Sequence, residues 1–300
     1  MSTITNRIQV ETAGPVGDRG RRRRKLFGAR RKPNVIGGIG GFIWLFIIIL
    51  PIYYIVVTSV RPQAGFYSTN QLLPSAHPTL DEYALVLRSD FLLYLGNSVI
   101  VTVVSVTLIV FTSILAADVI VRSRSRFARF NFSLYLLGLA IPIQATIIPL
   151  FYMLNKAGLY DTLIALILPT IGFGIPFTVL ILSNFMRDIP KELFESMTLD
   201  GAHTWRILFS LVIPLSRPAI VTVVLYNAMD VWNQFLFPLI LTQSANNRTL
   251  PLSLWTFQSE FTVNVPAILA AVVLSTLPIF TLYIFGRRQL IAGMTAGFGK

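Results

Sequence analysis

The chain of 300 residues contains no cysteine. This absence excludes disulfide bonds, thiolate metal sites and cysteine nucleophiles. Histidine is nearly absent too, with only His77 and His203, and neither the HExxH nor the GxSxG pattern of common hydrolases occurs. We therefore do not expect an enzyme, and the sequence offers no catalytic residue, no metal site and no cofactor bound by this chain.

Charged residues are also scarce, at 13% of the chain against 54% hydrophobic residues. Six continuous apolar runs reach the roughly 20 residues that a helix needs to cross a hydrocarbon core about 30 Å thick. A membrane β-barrel would instead show short segments of alternating pattern. The sequence predicts an all-α membrane protein with six transmembrane helices. The predicted spans are Ile36 to Val60, Asn97 to Val119, Phe132 to Leu154, Leu163 to Phe185, Ala219 to Leu241 and Pro266 to Phe285.

The Lys and Arg residues lie mostly on one side of these six runs. With an even number of spans both termini share a side, and 21 of the 25 Lys and Arg residues fall there. Short cytoplasmic segments carry such an excess, so both termini are predicted to be cytoplasmic. The organisation predicted is a disordered basic cytoplasmic tail (1–33), a six-helix transmembrane domain (34–290) and a cytoplasmic C-terminal tail (291–300).

The net charge of +12 comes largely from the N-terminal tail, which holds ten Lys and Arg residues. A basic cluster beside the first apolar run is typical of a topology signal attracted to anionic membrane lipid. We therefore expect a lipid surface, and not nucleic acid, as the partner of this tail.

Residues 187–217, called here the charged loop, hold eight charged side chains of balanced sign between two apolar runs. Leu193, Phe194 and Met197 predict a short helix with one apolar face, and Gly201 can supply the left-handed residue that ends it. A second helix with one apolar stripe is predicted over Ala202 to Val212. These stripes need a partner, which can be the bundle itself, lipid headgroups or another protein.

Two further features concern the fifth run and the segment after it. Residues 242–265, called here the outer loop, are long for a simple connection. The fifth run carries polar groups that either face a cavity or bond to neighbouring helices, because unsatisfied polar groups are costly in lipid. These candidate pathway residues are Asn227, Asp230, Trp232, Asn233 and Gln234. Asp118, by contrast, is predicted to pair with Arg122 at the end of the second run.

Three motifs resemble permease subunits of bacterial binding-protein-dependent ABC importers. Glu195-Ser196-Met197 followed by Gly201 and by Leu211-Val212-Ile213-Pro214 is similar to their "EAA" signature. The segment "WNQFLFPLIL" resembles the fifth helix of the carbohydrate branch, and the final "GMTAGFGK" resembles the tail of MalG-like permeases. The resemblance implies the type I importer permease architecture, in the bacterial cytoplasmic membrane.

The resemblance also implies a function and a set of partners. The chain would be a permease subunit of an ATP-driven sugar or oligosaccharide importer. It would form a heterodimer with a second homologous permease, above two copies of a cytoplasmic ATPase that binds ATP and Mg²⁺, and would receive solute from an extracytoplasmic binding protein. The charged loop would couple to the ATPase through Glu195, Asp200, Gly201, Ala202, Trp205, Arg206 and Pro214. The binding protein would contact Asn246, Asn247, Arg248 and Leu250.

The alternative function is an ion-coupled carrier or channel that works without an ATPase. Such a protein is expected to place several ionisable groups across its helices. The membrane interior of this chain offers chiefly Asp230. A scaffold without a transport role would instead make the fifth run and the charged loop dispensable.

Overall fold

The computed structural model describes residues 35–123, 125–257 and 263–296. The basic tail predicted over residues 1–33 and the last four residues of the predicted C-terminal tail lie outside this range. The chain divides into two compact units, residues 1–48 and 49–300. The packing described below belongs to the second unit.

The described elements with regular structure are helices, and four of the α-helices are both long and apolar. The longest are α1 (Val35–Ser59), α3 (Phe91–Arg122), α6 (Leu163–Met186) and α13 (Val265–Ala296). The intermediate ones are α2 (Asp81–Arg88), α4 (Arg126–Leu139), α5 (Ile143–Lys156), α7 (Lys191–Leu199) and α10 (Arg217–Trp232). The short ones are α8 (Thr204–Ile207), α9 (Ile213–Leu215), α11 (Leu236–Leu241) and α12 (Leu250–Ser253), with a π-helical turn at Leu208–Val212.

Within the described residues, helices α1, α3, α6 and α13 are each long and apolar enough to cross a membrane. Two further spans are provided by bent pairs, α4 with α5 and Thr204–Leu215 with α10, if each pair counts as one. The fold class predicted from the apolar runs is thereby confirmed, since each predicted run coincides with one of these helices or lies within a broken helical segment.

The third predicted span, Phe132 to Leu154, is formed by two helices, α4 and α5, with a sharp bend between them. Helices α4 and α5 meet at an angle of 101°. Helix α4 ends where the amide of Ala140 donates to the carbonyl of Leu137 at 3.0 Å. Pro142 follows, and proline lacks an amide donor and disfavours helical conformation at the residue before it. The break therefore falls at Ile141-Pro142.

The fifth predicted span, Ala219 to Leu241, is also interrupted. Helix α10 ends at Trp232 and α11 begins at Leu236, so that Asn233 to Phe235 separate them. At its other end α10 is bent by 76° from the Thr204–Leu215 segment. The break between α10 and α11 contains Asn233 and Gln234. The side-chain amides of these residues therefore lie at the same position along the span as the backbone groups freed by the break.

The core is built on α3 packed along α6, with α10 against both. Ile109, Val179 and Leu182 are fully buried there. A Cβ atom added to Gly174 would lie 2.5 Å from Cδ1 of Ile109 and 3.2 Å from Oδ1 of Asn227. Small residues let membrane helices approach closely, and Gly174 therefore marks the point where α3, α6 and α10 meet.

Candidate functional site

The charged loop turns at Gly201, as the sequence predicts. Gly201 has a φ of +74°. Its amide donates to the carbonyl of Thr198 at 3.0 Å, and the amide of Ala202 donates to the carbonyl of Met197 at 2.9 Å. This pair of bonds is the Schellman motif, in which a left-handed residue satisfies the last carbonyls of a helix. Helix α7 thus ends in a defined turn.

The second helix of the charged loop does not have the predicted limits, Ala202 to Val212. Helical structure begins at Thr204, because Nδ1 of His203 accepts from the amide of Arg206 at 3.4 Å and caps the helix. It continues through a π-helical turn and α9 to Leu215. Pro214 lies in that last part and is exposed.

The predicted apolar stripe of this segment is split between two environments. Leu208 and Val212 are buried against the core together with Ile207. Trp205 and Phe209 are instead 54% and 59% exposed, and their rings stack with centroids 6.2 Å apart. One face of the segment therefore fixes it to the helix bundle, and a second apolar face points away.

The residues that the resemblance assigns to coupling lie together around the turn. Ala202 packs against the core in a half-buried position. Glu195, Asp200 and Arg206 are exposed, and Leu199, between the first two along the chain, is 89% exposed. The turn thus presents charged and apolar side chains side by side.

An open cleft of about 870 Å³ runs between α7 and the end of α3. Arg122, Arg187, Lys191 and Glu195 contribute its charged side chains. The guanidinium of Arg122 binds the carboxylate of Asp118 at 3.2 Å, as predicted. The same guanidinium lies 5.9 Å from the ring centre of Phe194, so α7 is held to the end of α3 by a cation–π contact.

Three of the five candidate pathway residues share one exposed face. Asp230, Asn233 and Gln234 line an open cleft of about 360 Å³ on α10, together with Tyr226 and Met229. The last two were not among the predicted residues. They lie four and one positions before Asp230, and the i, i+4 spacing of a helix would have identified Tyr226 from the sequence.

Asn227 and Trp232 lie on the other side of α10 and bond to neighbouring helices. The side-chain amide of Asn227 donates to the hydroxyl of Thr178 on α6 at 2.9 Å. The indole of Trp232 donates to the carbonyl of Ser275 on α13 at 3.1 Å. For these two residues the structure favours the reading in which polar groups join helices, and they do not line the cleft.

The outer loop is fixed in its first half to the start of α3. The side-chain amide of Asn97 donates to the carbonyls of Asn246 and Arg248 at 2.7 and 2.9 Å. The amide of Leu250 donates to the hydroxyl of Ser98 at 2.8 Å. Leu250 is 1% exposed, so in this conformation it packs inside the bundle, whereas Asn246 is exposed.

Asp161, which was not among the predicted site residues, also holds the outer loop. Oδ1 of its carboxylate accepts from the amides of Gln243 and Ser244 at 2.9 and 3.0 Å. It also accepts from the hydroxyl of Ser244 and from the side chain of Asn247. The backbone of Asp161 has a φ of +58°, which is uncommon for a residue other than glycine. One carboxylate oxygen therefore accepts hydrogen bonds from four donors of the loop.

The pKa of Asp161 reflects these contacts. Burial alone would raise the pKa, but the hydrogen bonds from Gln243, Ser244 and Asn247 outweigh it and lower the pKa below its ordinary value. A lowered folded-state pKa means that the contribution to stability is complete above the unfolded pKa and is lost as the pH falls through the folded one. The contact is thus fully formed at neutral pH.

The chain is similar in sequence to known transport proteins. A family model described as a binding-protein-dependent transport system inner membrane component matches residues 109–295. A protein of Caldicellulosiruptor sp. (strain Rt8B.4), assigned as ABC transporter permease ORF2, is 42% identical over 86% of this chain and 94% of its own. The arabinooligosaccharide transport system permease AraQ of Halalkalibacterium halodurans is 31% identical over 86% of this chain and 93% of its own.

A solved bacterial ABC transporter that imports the acidic polysaccharide alginate has a similar fold. One of its chains superposes with a TM-score of 0.75 at 20% identity, over 85% of this chain and 95% of that chain. The family model thus covers more than half of the chain, and the relatives match most of its length. The chain belongs to the family of inner membrane components of binding-protein-dependent transport systems, and it is a permease subunit of an ABC importer.

Proposed function

We propose that the chain forms half of the translocation pathway of an ATP-driven saccharide importer and receives the ATP-driven movement through the charged loop. The observation that carries this proposal is the direct continuity between two sites. The turn at Gly201 leads into Thr204–Leu215, which continues through Ser216 into α10. Helix α10 carries the polar cleft at Asp230.

The charged loop is proposed to dock on a cytoplasmic ATPase. Leu199 and Trp205 expose apolar surface next to Asp200 and Arg206. A clustered apolar surface edged with charges is typical of a protein interface. Glu195 and Arg206 offer charge-assisted hydrogen bonds to the partner. ATP and Mg²⁺ would be bound by that partner, and the side of the membrane that carries the charged loop would be the cytoplasmic one.

Movement of the docked loop would reach the pathway because the segment beyond it is packed into the core. Ile207, Leu208 and Val212 are buried against the bundle. Tightly packed cores favour discrete alternative arrangements over gradual deformation. ATP would act by binding one arrangement more tightly than the other, which is the only way in which a ligand shifts such an equilibrium.

The polar face of α10 suits a saccharide. The ring of Tyr226 is exposed at the cleft and packs against Phe177 at 4.4 Å between centroids. An aromatic ring can stack on the C–H face of a sugar, while Asp230, Asn233 and Gln234 can bond its hydroxyl groups. The named solute of the AraQ relative, arabinooligosaccharide, belongs to the same chemical class.

Two further partners are proposed, one for the polar face of α10 and one for the outer loop. A second homologous permease would complete the pathway opposite the polar face of α10. An extracytoplasmic binding protein would contact the outer loop at Asn246, Asn247 and Arg248. Leu250 is buried in this conformation, so that its part in the contact would be to anchor the loop.

A pair of matched glycines tests the docking proposal. Gly201 ends α7 and Gly158 ends α5, both with positive φ, +74° and +70°, and with open space around the Cα atom. Both sit in the same Schellman arrangement, since Gly158 donates to Asn155 at 3.0 Å and Leu159 to Leu154 at 2.9 Å. Alanine at either position costs about 1–2 kcal/mol of backbone strain.

Gly201→Ala is expected to reduce the amount of ATPase that co-purifies with the tagged chain by about 5- to 30-fold. This figure assumes that the roughly 1–2 kcal/mol of strain in the turn weakens the free energy of docking by the same amount. Gly158→Ala carries the same strain at a distant turn and should retain the ATPase. The measurement is the ratio of ATPase to tagged chain after purification in mild detergent. Equal retention by both variants would show that the turn at Gly201 does not shape the docking surface.

A further inference from the structure

Asp230 places a carboxylate near the middle of the fifth apolar run. It lies 13 residues beyond Arg217 on the same helix, which corresponds to roughly 20 Å along the helix axis. The side chain is exposed on the surface of the chain. A carboxylate at this depth is too costly to face lipid, and such groups face water-filled space or another protein.

Among the described residues, the side chains that line the cleft with Asp230 carry no opposite charge. Tyr226 lies one turn before it, Asn233 and Gln234 about one turn after it, and Met229 beside it, all of them uncharged in their ordinary states. Across the part of the chain that the structure describes, no Lys or Arg nitrogen lies within 4 Å of the Asp230 carboxylate. The ion pair found among these residues joins Arg122 to Asp118 and does not involve Asp230. The cleft therefore presents a negative charge to whatever enters it.

We propose that Asp230 determines the charge selectivity of the pathway: it admits neutral or cationic saccharides and disfavours acidic ones such as uronic acid oligomers. This inference rests on the proposed function, because it takes the polar face of α10 to line the pathway. Like charges in a narrow cleft repel most strongly where water is limited. The solved transporter with the similar fold imports an acidic polysaccharide, so the inference predicts that the two proteins differ in charge preference.

The effect of the Asp230 charge can be measured without knowing the solute. Because the chain contains no cysteine, a single introduced cysteine is its only thiol and reports how fast charged reagents reach it. Asn233→Cys places a thiol in the same cleft as Asp230, three residues further along the chain and just past the end of α10. The assembled importer is treated with a cationic and, separately, an anionic methanethiosulfonate reagent, and the mass of this chain reports the rate of modification. The quantity compared is the ratio of the cationic to the anionic rate, with Asp230 present and with Asp230→Asn.

The ratio is expected to fall about 5- to 10-fold when Asp230 is replaced by Asn. A unit charge about 7 Å away in a fully aqueous cleft changes each rate about 3-fold, in opposite directions for the two reagents, and a drier cleft gives more. Asp230→Glu should keep the high ratio. Asn246→Cys, on the exposed part of the outer loop, is the matched reporter whose ratio Asp230→Asn should leave unchanged.

The outcomes separate the inference from the proposed function. If Asn233→Cys reacts readily but its rate ratio is the same with Asp230 and with Asp230→Asn, the charge selectivity is overturned while the pathway stands. If neither reagent reaches Asn233→Cys while both modify Asn246→Cys, the polar face is not in water. In that case both the pathway placement and the inference are wrong.

Discussion

Asp161→Gly is expected to reduce solute uptake by the assembled importer at least about 10-fold while the complex still assembles. Glycine accepts the φ of +58° without strain, but it removes the oxygen that accepts from Gln243, Ser244 and Asn247. The donors are near the surface and find water, so stability changes little. The loop, however, loses the anchor of Gln243, Ser244 and Asn247, and with it the position in which it would present Asn247 to the binding protein. The measurement is binding-protein-dependent uptake into proteoliposomes.

Two further variants at Asp161 separate the carboxylate oxygen from the backbone conformation. Asp161→Asn keeps an acceptor oxygen and tolerates a positive φ, so it should retain most of the uptake. Asp161→Ala loses the acceptor and is also strained, so it should be at least as defective as Asp161→Gly. If Asp161→Gly transports as well as wild type, the backbone turn alone matters and the loop is not held through Oδ1.

Gly174→Val is expected to destabilise the packing of α3, α6 and α10. The added Cβ would lie 2.5 Å from Cδ1 of Ile109 and 3.2 Å from Oδ1 of Asn227, and the two methyl groups of valine add further overlap. Overpacking of this kind costs about 1–3 kcal/mol. The measurement is the temperature at which the detergent-purified chain loses its monodisperse elution on size exclusion.

Gly172 provides the control for this substitution. It lies two residues earlier on the same helix, α6, and a Cβ atom there meets nothing within 4 Å. Gly172→Val therefore carries the same change in helix propensity without the overlap, and it should melt within a few degrees of wild type. Ile109→Ala combined with Gly174→Val should recover part of the loss. Equal melting of the two valine variants would contradict the close packing of α3, α6 and α10.

The sequence predicted the fold class because lipid imposes a strict rule on it. A membrane helix must satisfy its backbone internally and present about 20 apolar residues, so runs such as Leu163 to Phe185 translate directly into helices, here α6. Hydropathy does not predict, however, where an apolar run bends. The bend of 101° between α4 and α5 depends on Ile141-Pro142, and Pro149 and Pro176 lie inside helices that continue.

The boundaries in the charged loop depended on which residue caps each helix. Gly201 was correctly identified as the turn because a left-handed position strongly favours glycine. His203 is an unusual cap, and its contact with the amide of Arg206 moved the start of the second helix from Ala202 to Thr204. The apolar stripe was real, but periodicity alone does not say which part is covered by the bundle and which part is left for a partner.

The sequence identified polar residues of the candidate site more accurately than it predicted which of them face the cleft. Asp230 and Asn227 are three residues apart on one helix, yet the first is exposed in the cleft and the second is buried against Thr178. Which face of α10 meets α6 is set by packing partners far away along the chain. Asp161 shows the same limit, because its bonds join residues 82 to 86 positions apart.

Uptake into proteoliposomes tests whether this chain works in an ATP-driven saccharide importer. The importer purified through this chain is reconstituted, its binding protein is added outside with a panel of labelled neutral oligosaccharides, and ATP with Mg²⁺ is enclosed inside. We expect uptake of at least one saccharide that requires enclosed ATP and persists when ionophores dissipate all ion gradients. Uptake that needs an ion gradient and proceeds without ATP would contradict it, and would identify the chain as an ion-coupled carrier.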